Sequence, residues 1–194
     1  MVGGISRYEV VESEERFRGP IFRVVTDRVT MPDGKVVDRD VVTKKSAVGV
    51  VALFDDGRVV LIRQYRHAVK QYLWELPAGL IDVDGEELPD VARRELMEET
   101  DLRAGHVEHL VDLYLSPGFT DEKITLYLAT GLSEVPDGDR HVREAEEADM
   151  QVRVLPLPEA IDMIMKGEIT NAASVAGLLA AAVRRDLGGG SRRD

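Results

Sequence analysis

Glu95, Glu98 and Glu99 fall close together in Arg94-Glu95-Leu96-Met97-Glu98-Glu99, inside a stretch whose spacing predicts a helix. At about 100° per residue the three carboxylates share about a third of the helix circumference. Like charges at i,i+4, such as Glu95 and Glu99, normally weaken a helix. A divalent cation reverses that cost. Mg²⁺ takes carboxylate and carbonyl oxygens and keeps its remaining positions for water and substrate phosphate, and oxygen-only ligation also suits Mn²⁺. The plainer alternative is a solvated charged helix face with an Arg94–Glu98 pair at i,i+4.

Leu76-Pro77-Ala78-Gly79 reads as a strand end at the entrance to this helix, with Pro89 suited to the first turn and Leu88 at the expected N-cap. Glu86, Glu87 and Asp90 set negative charge at the positive end of the helix dipole. Upstream, Ile21–Val25 and Lys35–Val42 alternate apolar and polar residues across Met31-Pro32-Asp33-Gly34, a hairpin pattern. Val48–Phe54 and Val59–Tyr65, joined by Asp55-Asp56-Gly57, are expected to form a second strand pair that begins the main sheet. Downstream, His109–Leu115 and Lys123–Thr130 read as strands and Val135–Asp149 as an acidic loop. Pro158–Lys166 has helical spacing, and Asn171 can cap the Ala-rich run to Arg185. Strands, one helix, more strands and terminal helices imply a mixed sheet packed between helices, not a parallel doubly wound fold.

The 194 residues, 44% of them hydrophobic, can bury a sizeable core, and the length suits one domain with an extension. A net charge of -11 with no isolated basic cluster argues against nucleic acid as a partner. With no cysteine, thiolate ligands and thiol nucleophiles drop out. Met1–Arg7 shows no signal-peptide hydrophobic run, and no apolar stretch reaches the roughly 18 residues that span a bilayer. The expectation is a cytoplasmic protein without a membrane partner.

Gly79, Glu86, Arg94, Glu95, Leu96, Glu98, Glu99 and Leu102 match in order the signature of the Nudix hydrolases, which this chain resembles. Two positions depart from it. The loop from Gly79 to Glu86 holds six residues where five are usual, and Asp101 stands where the family has glycine. The resemblance implies an α+β Nudix fold, an α/β/α sandwich with an N-terminal antiparallel β arm. The expected boundaries are an arm over 1–45, a hydrolase domain over 46–187 and a flexible tail over 188–194. It further implies metal ligation by Glu95, Glu98, Glu99 and the carbonyl of Ala78, with Arg94 orienting a ligating carboxylate rather than touching substrate.

Within the family the chain resembles the ADP-ribose pyrophosphatases, through Pro117 fifteen residues after Leu102, Gln64-Tyr65-Arg66-His67 and Trp74-Glu75-Leu76-Pro77-Ala78-Gly79. That resemblance implies Mg²⁺-dependent hydrolysis of ADP-ribose to AMP and ribose 5-phosphate. Glu147 is then the general base, with Glu146 second, and Glu99 is indispensable to catalysis as a metal ligand. Substrate contacts fall to Gln64, Arg66, Ser116, Gly118 and Glu122. Arg39 would reach a neighbour's nucleotide in a homodimer with exchanged N-terminal strands. Trp74 is expected in the core rather than as a base-stacking platform. The alternatives are hydrolysis of another nucleoside diphosphate sugar and a ligand-sensing Nudix domain without catalysis. The retained carboxylates speak against the second.

Overall fold

A computed structural model describes residues 8–83, 85–143 and 148–189. The chain divides into two compact units, one of residues 1–46 with 114–123 and one of 47–113 with 124–194.

The first unit holds a three-stranded sheet in the order β1 (Glu9–Arg18), β2 (Phe22–Thr30), β3 (Val36–Lys44). β2 and β3 run antiparallel in unbroken register from Phe22–Lys44 to Thr30–Val36, the hairpin expected from its turn residues. β1 adds to β2 with two irregularities, and all ten of its residues are exposed. The loop after Tyr114 lies along β3: Val42 N donates to Phe119 O (2.8 Å), and Lys44 Nζ meets Glu122 at 2.7 Å.

The second unit is built on two sheets. One has the order β7 (Ala78–Leu80), β4 (Ala47–Ala52), β9 (Lys123–Glu134), β8 (Leu102–Tyr114), with β4 and β9 parallel. The other is β10 (Gln151–Pro156), β5 (Arg58–Arg66), β6 (Gln71–Glu75). The expected β4–β5 strand pair is therefore corrected. Asp55–Gly57 carries the chain from one sheet to the other, leaving a single bridge between Leu53 and Val59. Both faces of these apolar strands are covered, so β4 has no need of β5 as a neighbour. β10, which the sequence did not reveal, takes the edge beside β5.

Alternation along the strands sorts the core onto two faces. Val51, Val59, Leu61, Leu128 and Leu155 pack with α2 (Leu157–Met165) and α3 (Ala172–Gly189), while Val48, Val50, Val60 and Tyr127 pack with Val91, Ala92 and Leu96 of α1 (Leu88–Thr100). Helices thus cover both sides of the sheets, the α/β/α arrangement expected. Among the described residues no helix is long and apolar enough to cross a membrane. α3 continues past Arg185 to Gly189, and the rest of the expected tail lies outside the described residues.

Helix ends show where local chemistry sufficed. Asn171 caps α3 as expected: its Oδ1 accepts from Ser174 N at 3.0 Å, and Ser174 Oγ accepts from Leu76 N at 2.9 Å. α1 begins with Glu87 as N-cap, not Leu88, and no side chain caps it. Packing of Val91, Ala92 and Leu96 must therefore hold that end. Replacing Asn171 by Ala should cost about 1 kcal/mol, read as a lower urea midpoint at unchanged slope. An unchanged midpoint would show that the cap is dispensable.

Candidate active site

The chain leaves one sheet for the other at Leu76-Pro77, between β6 and β7. Pro77 has no N–H to lose, and its carbonyl accepts from Val50 N at 2.8 Å. This crossing brings Ala78 and Gly79 against α1. Ala78 N donates to Glu99 Oε2 at 2.8 Å, which fixes a carboxylate that is only 3% exposed. A Cβ at residue 79 would overlap the Glu95 carboxylate, so a side chain there would push Glu95 out of this position.

Arg94 lies among carboxylates. Its guanidinium reaches Glu95 at 2.7 Å, Glu86 at 3.1 Å, Glu98 at 3.4 Å and Asp82 at 3.5 Å. The Glu86 hydrogen bonds above all hold Arg94 protonated more firmly than usual. Burial pushes the Glu95 carboxyl up to about 6, with the charge of Glu98 adding and Arg94 opposing. Arg94 therefore binds four acids at once, and the expected Arg94–Glu98 pair is one bond of a larger set.

Gln64 and Arg66 lie on β5 in the alternating set of Val60 and Ile62, the face that α1 covers. Gln64 is 4% exposed. Arg66 grips Glu75 with two prongs, Nη2 to Oε2 at 2.6 Å and Nε to Oε1 at 3.1 Å, and Glu75 is 3% exposed. Glu75 escaped the sequence reading. Its one signal was a carboxylate set among apolar residues in Leu73-Trp74-Glu75-Leu76. Trp74 packs with the core on the opposite face, with the guanidinium groups of Arg63 and Arg153 over its ring.

In the first unit Arg39 is exposed on β3, its Nη1 donating to Asp38 O at 2.8 Å. Ser116 O accepts from both Phe119 N and Thr120 N at 3.1 Å, a tight turn around Gly118. Glu122 is ion-paired with Lys44. Glu146 and Glu147 lie outside the described residues.

No group of three or more Asp, Glu, His or Cys side chains is gathered as around an ion among the described residues. In kind, however, the donors fit a hard divalent cation: all are oxygens, and they crowd negative charge where Glu95 is already desolvated. A cation can do for Glu95 and Glu99 what Arg94 does for Glu86, Glu95 and Glu98.

A model of the NUDIX domain matches residues 43–176. The chain belongs to the Nudix hydrolases. A model of the nucleoside diphosphate sugar hydrolase N-terminal domain matches residues 8–42. Among curated Nudix relatives, an ADP-ribose pyrophosphatase of Mycobacterium tuberculosis is 46% identical over 89% of this chain and 82% of its own length. A GDP-mannose pyrophosphatase of Escherichia coli is 33% identical over 78% and 82%. The solved structure of an ADP compounds hydrolase superposes with a TM-score of 0.81 over 96% of this chain and 97% of that one, at 24% identity, and shows the same fold. As a family, Nudix hydrolases use divalent metal ions, and α1 here carries the acids of the family signature.

Glu95 gives the metal-free protein a pH signature. Its folded pKa of about 6 lies above the ordinary 4.5, so the folded state holds this proton more tightly than the unfolded chain does. The stability gained is fully present below pH 4.5 and is lost as pH rises through 6. With chelator present, Glu95→Gln should therefore exceed the wild type in unfolding free energy by about 2 kcal/mol at pH 8. That gap should close toward pH 4.5, and a gap of equal size at both ends would contradict it.

Proposed function

We propose that this Nudix hydrolase cleaves the diphosphate of ADP-ribose to AMP and ribose 5-phosphate, with Mg²⁺ as its metal and Mn²⁺ as a substitute. The carboxylate face of α1, locked to the end of β7 through Glu99 and Ala78, carries the chemistry. The mycobacterial relative supports the choice of substrate.

Glu95, Glu98, Glu99 and the Ala78 carbonyl would hold the metal. When bound, a divalent cation neutralises diphosphate oxygens and lowers the pKa of an attacking water. The protein supplies the rest. Arg94 keeps Glu95 and Glu98 drawn together, and burial of Glu99 leaves its oxygens little freedom to turn toward solvent. The water adds its oxygen to one phosphorus, the P–O bond to the other phosphate breaks, and Glu147 takes the water's proton. Glu146 is the substitute for that role.

Arg66, held by buried Glu75, is assigned to the substrate diphosphate or ribose, where a guanidinium fork binds two oxygens. Gln64 is assigned to the same substrate, and so are Ser116, Gly118 and Glu122. Arg39 is assigned to the substrate of a second copy, in a homodimer that exchanges N-terminal strands. Exposed Val10, Val11, Phe17, Ile21 and Phe22 support a partner over this sheet, since three strands with bare apolar side chains gain from being covered. The arm and catalytic domain would then meet near residue 45, and the protein would work in the cytoplasm.

A panel of nucleoside diphosphate compounds with Mg²⁺, read by phosphate release after phosphatase treatment, tests the substrate. ADP-ribose is expected to turn over best; preference for GDP-mannose, the substrate named for the Escherichia coli relative, would favour the second reading. Glu99→Gln should lower kcat about a thousandfold, the loss of several kcal/mol of transition-state stabilisation. Near-normal turnover by Glu147→Gln would move the base elsewhere. Sedimentation is expected to give a dimer, and an active monomer would refute the exchanged arm.

A further inference from the structure

The last turn of α1 contains no lysine or arginine to meet its negative dipole end. The cation comes from far along the chain. Arg143 Nε donates to Glu98 O at 3.1 Å, and Arg143 Nη2 donates to Asp101 Oδ2 at 2.6 Å. Asp101 is the C-cap, with φ 58° and ψ 31°, and its own N–H donates to Met97 O. This is the position at which the family signature carries glycine.

An aspartate here is doubly unfavourable. The left-handed backbone costs about 1 kcal/mol relative to glycine, and a carboxylate at a helix C-terminus adds repulsion from the dipole. Arg143 reverses the second cost and binds the turn through two points, a main-chain oxygen and a side chain. The pair is mostly shielded, at 21% and 24% side-chain exposure, so solvent screens it weakly. Asp101 Oδ1 is buried without a hydrogen-bond partner among the described residues, so the carboxylate's grip runs through Oδ2 to Arg143 alone.

We propose that Asp101 and Arg143 form a latch that positions Glu98 and Glu99 for the divalent cation. Both are positioning residues, and the proposal rests on the reading that these carboxylates hold the metal. Glu98 is bound through its own carbonyl, so the latch fixes the backbone from which the Glu98 and Glu99 side chains spring. Outer partners of this kind commonly change metal affinity by about tenfold or more.

Charge alone and positioning predict opposite signs for Arg143. If Arg143 acted only as a nearby positive charge, removing it would tighten cation binding. If it positions the turn, removal weakens binding. Mn²⁺ should be titrated into the wild type, Arg143→Gln, Asp101→Gly and the double variant, with free ion read by electron paramagnetic resonance. Each single variant is expected to bind about tenfold more weakly, and the double variant no more weakly than the weaker single. Asp101→Gly suits the left-handed backbone and keeps the chain folded, which separates a lost latch from unfolding. Unchanged or tighter binding by Arg143→Gln, or losses that add in the double variant, would overturn the latch. Glu99→Gln separates the two readings. If it binds Mn²⁺ like the wild type, the metal assignment fails and takes the latch with it. If it loses Mn²⁺ while Arg143→Gln does not, the latch alone fails.

Discussion

The guanidinium of Arg94, set against Glu86, Glu95, Glu98 and Asp82, is the interaction on which the site depends. Two carboxylates one helical turn apart, about 6 Å, repel by about 3 kcal/mol at an effective dielectric near 20. α1 holds three such acids, has no capping side chain at its start and is tied at its end by an arginine from outside the helix. Such a helix does not stand by its own propensity. Its apolar face is fixed under the sheets by Val91, Ala92 and Leu96, and Arg94 offsets part of the charge on the other side. The remaining excess is available to a cation.

The sheets meet this demand by changing partner at Leu76-Pro77. Had β6 continued in its own sheet, Ala78 N would have gone to a neighbouring strand; released by the crossing, it donates to Glu99. Gly79 follows at once and leaves room for Glu95. One short segment thus seats two carboxylates of α1, and Glu75 just before it holds Arg66. Acidic and basic side chains are thus placed near a single break in strand pairing. Each buried charge there has an opposite charge or an N–H facing it, which limits the desolvation cost.

Features set by local chemistry were legible in the sequence. The β2–β3 turn and the Asn171 cap each follow from residues within a few positions. The α1 carboxylates were legible because a helix converts spacing into a shared face. Features set by tertiary choice were not. Asp55-Asp56-Gly57 looks like a hairpin turn, and only covering of both faces by helices makes it a passage between sheets. β10 leaves little trace in the sequence because its alternation is short and ends at Pro156. Arg143 sits in a polar loop where nothing nearby in sequence marks it as the cap of a helix 42 positions away. Glu87 displaced Leu88 as N-cap, a one-residue shift where no side chain pins the boundary.

Chemistry and selectivity separate along the same line. The two curated relatives named above carry different substrates in their names, ADP-ribose and GDP-mannose, within one family. A divalent cation held on a carboxylate helix would meet the charge of a diphosphate, which both of those compounds contain, so it would not discriminate between them. Discrimination must come from groups that meet the base and the sugar. The residues proposed for that role are single side chains on strand ends and loops, whose meaning depends on what the fold sets beside them. Arg66 illustrates the point: as a strand-end arginine it says little, but gripped by a buried glutamate it presents a guanidinium of fixed orientation. Preorganisation of that kind gives a cation selectivity beyond its charge, and it is a property of the pair, not of either residue alone.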